Sequence, residues 1–270
     1  LYTGVPTIPP FKRDDSDRNR TSPFAFTGNK FEFRMVGSSQ SLAYSEVVLD
    51  TILADSFDAF ATRLEGAQDK QEEIRHIIAD TMHQHGRVIY NGNNYSEDWV
   101  REAQHRGLPV LRTSVEAFHT LTDPKNIELF DRYRVFSPKE TAARYEIQLD
   151  NYIHVIQIEA ATMLEIAKRQ IIPSCIQYSG KIAGSLRQMQ ECGLSAKRLQ
   201  NHVEMALTEE LERTVNLASS FEDLYARARY MAEDVCGAMD RLRTRCDALE
   251  TVVDRRDWPM PPYTDLLHRI

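Results

Sequence analysis

Between Asp17 and Arg34 the chain reads DRNRTSPFAFTGNKFEFR, which sets Arg18, Arg20, Lys30 and Arg34 around Glu32 and among Phe24, Phe26, Phe31 and Phe33. A carboxylate is a hard oxygen ligand of the kind that Mg²⁺ and Mn²⁺ select. A guanidinium grips a carboxylate or a phosphate through two parallel N–H donors. Held on a rigid support, one acid and several such bases make a metal-plus-anion site suited to phosphoryl chemistry. The same residue types also make an ordinary solvated strand face with a weak cross-pair. Residue types alone leave both readings open.

The support is legible in the neighbouring residues. FAF and FEFRMV are rich in strand formers, and TGN between them offers a Gly-Asn turn, so residues 23–36 read as a hairpin. Alternation along a strand puts Lys30, Glu32 and Arg34 on one face, and Phe31, Phe33 and Met35 on the other. Glu32 and Arg34 then lie roughly 6–7 Å apart, and a buried phenylalanine face is expected to hold the polar face in place.

From about residue 40 the pattern turns helical. After GSSQS a serine-capped helix carries Leu42, Val47, Val48, Leu49, Ile52, Leu53, Phe57 and Phe60, and a second covers about Lys70–Gly86. The turn-rich NGNNYSEDW follows, with Ser96 opening a short helix that ends near Gly107. Ser137, Pro138 and Glu140 form a capping box at the head of a long helix that Pro173 should kink or end. Another long helix starts at Ser195 and runs, with a break near LASSFED, to about Asp254. The expected fold class is therefore mainly α: a short antiparallel β-hairpin followed by a multi-helix bundle.

The 270 residues suffice for one large domain or two smaller ones. With 42% hydrophobic and 27% charged residues the composition is that of a globular protein. A net charge of −7 argues against a general nucleic-acid or anionic-membrane binder, so any anion site must be local. No apolar run approaches the roughly 18–20 residues of a membrane span, and no basic-then-apolar leader opens the sequence. Cys175, Cys192, Cys236 and Cys246 form no C-x-x-C pair, which fits reduced thiols in a cytosolic protein. Because Leu1 is not an initiator methionine, the chain is expected to be a piece of something longer.

Other chemistry-bearing groups read more simply. His76, Asp80 and His83, with His85 nearby, recur on one helix face, and Asp150, His154 and Glu159 lie along the long helix. The first set has spacings that a metal site could use but no fixed Glu or Cys partner, the second lacks the Glu-x-x-His spacing, and surface or bundle contacts are the expectation. Met163, Leu164 and Ile166 read as core packing, residues 91–99 as a turn, and Arg241, Arg243 and Arg245 as solvated or subunit-facing. Tyr225, Tyr230 and Met231 could mark an interface.

NRTSPFAFTGNKFEFR with the MVGSSQS that follows resembles the late catalytic-domain signature of type III glutamine synthetases. VIYNGNNYSEDWVREAQHRGLPVLRTSVEAF and DNYIHVIQIEAATMLEIAKRQIIP resemble the C-terminal region of the same family. The similarity runs from about Asp17 to about Pro173 and more loosely to the end. The shorter glutamine synthetase classes share arginines followed by x-E-x-R but lack the long helical extension.

That resemblance carries implications residue by residue. Glu32 matches a divalent-metal ligand, and Arg34 the arginine that holds the substrate glutamate and the transferred phosphoryl group. Arg20 matches a loop arginine that steadies phosphate. Lys30 stands where the family has a cation near the nucleotide, and Arg18 lies in the same loop. The hairpin would be the end of a catalytic sheet, with residues 1–66 closing the catalytic domain and 67–270 forming a helical extension. The implied reaction is ATP-dependent ligation of ammonia to glutamate through a γ-glutamyl phosphate, with Mg²⁺ or Mn²⁺. A cytoplasmic homo-oligomer, a dodecamer of two rings, is implied as well. Further metal-binding glutamates, a histidine and an ammonium-binding acid are expected outside this chain, which alone should be inactive. The rival expectation is a helical assembly or interaction module with no catalytic duty.

Overall fold

The computed structural model describes the backbone of residues 24–26 and 31–33, and residues 41–90, 96–191 and 208–261. The chain divides into two compact units, Leu1–Val110 and Leu111–Ile270.

In the first unit, β1 (Phe24–Phe26) and β2 (Phe31–Phe33) pair antiparallel. The expected fold class is corrected at this point. The two strands are three residues long and pair with each other, and among the described residues no larger sheet is present for them to end. A larger sheet needs further strands to satisfy the ribbon's outer backbone groups, and the rest of the described chain is helix and turn. Mainly α holds.

Helix α1 (Ala43–Gly66) begins where Ser41 Oγ accepts the Ala43 N–H at 3.3 Å. Asp69 caps α2 (Lys70–His85) by accepting from the backbone N–H groups of Gln71 and Glu72. Arg63 ties the two helices together, 2.7 Å from Glu73 and 3.0 Å from Asp80. A 3₁₀ turn (Gly86–Val88) and α3 (Glu97–His105) complete the unit. Arg106 locks them to each other: its guanidinium donates to the carbonyls of Arg87 at 3.2 Å and Ile89 at 2.8 Å, and to Glu102 at 2.6 Å. Beyond α3, Gly107 takes the left-handed backbone (φ +69°) that lets the Leu108 N–H close back on the Ala103 carbonyl. Burial on the long α1 is slight: Thr51 is its buried residue, and Phe57 is 66% exposed.

The second unit holds the core. Helices α4 (Ser114–His119) and α5 (Pro124–Arg132) lead to α6 (Pro138–Ile166). The Ser137–Glu140 capping box is present, with Pro138 at the first turn. Leu149, Ile153, Ile156 and Ala160 form one buried stripe on α6 at helical spacing. Pro173 does not end the helix. A π-turn at Ala167–Ile171 precedes it, and α7 (Ile172–Glu191) carries on. The wider turn loosens the backbone ladder just where a proline ring meets the carbonyl four residues back.

Helices α8 (Glu209–Ala218) and α9 (Leu224–Tyr230) flank the expected break at LASSFED. A second π-turn at Met231–Val235 joins α9 to α10 (Cys236–Glu250). Leu211, Met231, Val235, Leu242 and Trp258 fill the core against α6, Ile171 and Cys175. Ser174 donates to the Asp257 carbonyl and Lys181 pairs with the Asp257 carboxylate, which fastens the segment after α10 onto α7. Among the described residues no helix is long and apolar enough to cross a membrane.

Candidate functional site

The ribbon fixes the backbone position of Glu32. It lies on β2 directly opposite Ala25, with Phe24 opposite Phe33 and Phe26 opposite Phe31. The phenylalanines thus take one set of alternate positions, and Ala25 and Glu32 the other. Arg18, Arg20, Lys30 and Arg34 lie outside the described residues, so of the expected constellation only the backbone of Glu32 is placed.

The other candidates are accounted for by their contacts. Among the described residues no group of three His, Cys, Asp or Glu side chains could hold a metal ion. His76 stands 3.6 Å from Glu73, and Asp80 is held by Arg63, so that helix face serves the α1–α2 hairpin. His154 bonds back along its own helix, 2.9 Å from the Asp150 carbonyl and 3.3 Å from its carboxylate. Arg241 pairs with Glu210 at 2.9 Å, joining α10 to α8, and Arg243 pairs with Asp247 at 2.7 Å. Met163, Leu164 and Ile166 pack against the core as the sequence suggested. Met231 does not mark an interface; it is fully buried, because the π-turn points it into the bundle.

A cluster that the sequence does not announce gathers at His119. Its Nδ1 lies 3.2 Å from the Tyr145 hydroxyl, and its ring centre lies 4.6 Å from that of Tyr225. The three residues come from α4, α6 and α9, so no local spacing could reveal them. Burial, then the charges of Tyr225 and Asp223, push the Tyr145 phenol up. Burial pushes up the thiols of Cys175, Cys236 and Cys246 as well, which suits unreactive packed cysteines. Backbone N–H donors hold the Glu116 and Glu140 carboxyls below the ordinary range, from Arg112 and Thr113 in one case and Ser137 in the other.

Residues 73–190, from α2 to α7, match the family described as glutamine synthetase C-terminal domain. Over 98% of its length the chain is 36% identical to a type-3 glutamine synthetase of Dictyostelium discoideum, of which it covers 38%. The chain belongs to the glutamine synthetase family. It is also 30% identical over 99% of its length to a glutamine synthetase of Bacteroides fragilis (strain YCH46), covering 39% of that protein. With a glutamine synthetase of Butyrivibrio fibrisolvens it shares 31% identity over 95% of the chain and 38% of the relative. The chain therefore spans well under half the length of these relatives. The family match falls on the helices, and the ribbon lies upstream of it.

Proposed function

We propose that this chain contributes the metal-and-phosphate edge of a glutamine synthetase active site and the helical extension that follows it. The reaction is ligation of ammonia to the side-chain carboxylate of glutamate, driven by ATP through a γ-glutamyl phosphate. The observation that carries this reading is the 36% identity to a type-3 glutamine synthetase along 98% of the chain.

The division of labour follows from charge. An anionic phosphoryl donor must approach an anionic carboxylate, so cationic groups have to neutralise both before oxygen and phosphorus can meet. Arg34 would hold the glutamate carboxylate and the phosphoryl group, and Arg20 would steady phosphate. Lys30 and Arg18 would face the nucleotide. Glu32 would offer one oxygen to a divalent ion, Mg²⁺ or Mn²⁺. One carboxylate is not a metal centre, and among the described residues no group of three His, Cys, Asp or Glu side chains could hold an ion. The remaining ligands must come from elsewhere in the enzyme, and no step through the ion is assigned to this chain. Residues 1–66 would close the catalytic domain, 67–270 would form the extension, and the whole would work as a cytoplasmic two-ring dodecamer.

The test is alanine at Glu32 and, separately, at Arg34 in the full-length enzyme. Glutamine formation should fall at least a hundredfold, with the oligomer unchanged in light scattering. Full activity in an intact oligomer would favour the second reading, an assembly module. One observation supports that alternative. Ile147, Val155 and Ile158 on α6 are 55%, 51% and 67% exposed, an apolar stripe fit for subunit contact.

A further inference from the structure

A cavity of about 630 Å³ opens in the second unit where the end of α6, the first π-turn, α10 and the segment after it meet. Met163, Ile166, Met239, Leu242, Cys246 and Trp258 line it. Leu242, Cys246 and Trp258 are core residues, so the wall is continuous with the packed interior. Its volume falls in the range of about 300–1,000 Å³ typical of small-molecule sites. The lining is aliphatic, thioether, thiol and indole, and the methionines Met163, Met239 and Met260 can adjust to the outline of a guest.

The mouth has a different chemistry. Asp240, Arg243, Asp247 and Glu250 follow one another at three- and four-residue steps along a single edge of α10, beside the cavity. Arg243 and Asp247 pair at 2.7 Å and largely cancel. Asp240 and Glu250 have no ion-pair partner among the described residues, so two uncompensated carboxylates stand over an apolar hollow. We infer that the cavity binds an amphipathic cation, with its apolar body against Leu242, Met239 and Trp258 and its ammonium head drawn to the edge of α10 that Asp240 and Glu250 leave net negative. The inference is independent of glutamine synthesis and is tested without an activity assay.

The chain has two tryptophans, so Trp99→Phe leaves Trp258 as the sole indole and makes its emission a reporter inside the cavity. The probe is n-octyltrimethylammonium, compared with n-octanol and n-octyl sulfate. The expected result is a saturable change with the cation, at least tenfold tighter than with the sulfate. Asp240→Asn with Glu250→Gln should weaken the cation about tenfold and leave octanol unchanged. Arg243→Gln should have the opposite effect, because it frees the Asp247 carboxylate and tightens cation binding. An unshifted melting temperature shows that each variant is folded, and the opposed directions of the two variants cannot both come from unfolding. A flat titration, equal binding of all three probes, or variants that leave the cation's affinity unchanged would overturn the inference. Binding seen only after removal of residues 262–270 would assign the cavity to the chain's own terminus and overturn it equally.

Discussion

The Glu140 carboxylate accepts the Ser137 N–H at 2.8 Å and the Ser137 hydroxyl at 2.8 Å, while Ser137 Oγ accepts the Glu140 N–H in return. The donors favour the charged form and hold its pKa below the ordinary 4.5. A carboxylate depressed in the fold contributes stability that is present above its unfolded pKa and lost as pH falls through the folded one. Glu140→Gln keeps the shape and removes the charge. Its melting temperature should lie below that of the parent at pH 7, and the gap should close as pH falls below the ordinary 4.5 and through the depressed folded pKa. A gap that stays the same throughout the acid range would mean that the carboxylate charge is not what the cap uses. Tyr152 has the opposite sign. Burial, then the neighbouring Cys236, push its phenol up to about 12. Between pH 10 and about 12 the unfolded chain gives up this proton while the folded chain keeps it, so stability falls as pH rises. Tyr152→Phe should flatten the alkaline loss of stability above pH 10. Ultraviolet titration of the parent should show one phenol that ionises only near pH 12.

At the scale of elements, α6 is the axis of the second unit, and its two sides should behave differently under mutation. Leu149 is 1% exposed within the core, and Ile158 is 67% exposed on the far side. Leu149→Ala removes three buried carbons and leaves a void, a change that costs about 3 kcal/mol. Ile158→Ala removes surface, so urea unfolding should register a change of only about 0.5 kcal/mol. A larger cost at Ile158 than at Leu149 would mean that α6 packs the other way round. The same helix marks what was legible in the sequence. Ser137, Pro138 and Glu140 announce its start because capping is local chemistry, carried within four residues. The π-turn at Ala167–Ile171 was not legible, since Pro173 signals a disturbed ladder without saying how the backbone absorbs it. Helices α4 and α5 were missed for a related reason: six and nine residues are too few to show a hydrophobic period. The hairpin signal in FAF and FEF was local as well. The sheet expected around it depended on strands far away, and none is described.

At the scale of the molecule, the expected site shows why a family signature can be read where a working centre cannot. Glu32 stands out because an acid among Phe31, Phe33 and flanking bases is a rare local pattern, whereas the His119, Tyr145 and Tyr225 cluster depends on tertiary packing. A divalent ion asks for several oxygen ligands converging from different parts of a fold. The described residues of this chain bring together no such set, and the chain covers 38% of its Dictyostelium relative. One carboxylate and a few bases can neutralise part of the charge that builds up during phosphoryl transfer, but they cannot bring ATP and glutamate into line. The 270-residue chain, purified alone and given glutamate, ammonia and Mg·ATP, should therefore form no glutamine above a protein-free blank. Its helical unit should nonetheless melt cooperatively, because the core around α6 is closed within residues 111–270. Glutamine formed by a folded sample would show that the ligands converge within this chain after all. A sample with no melting transition would show instead that the core around α6 does not hold by itself.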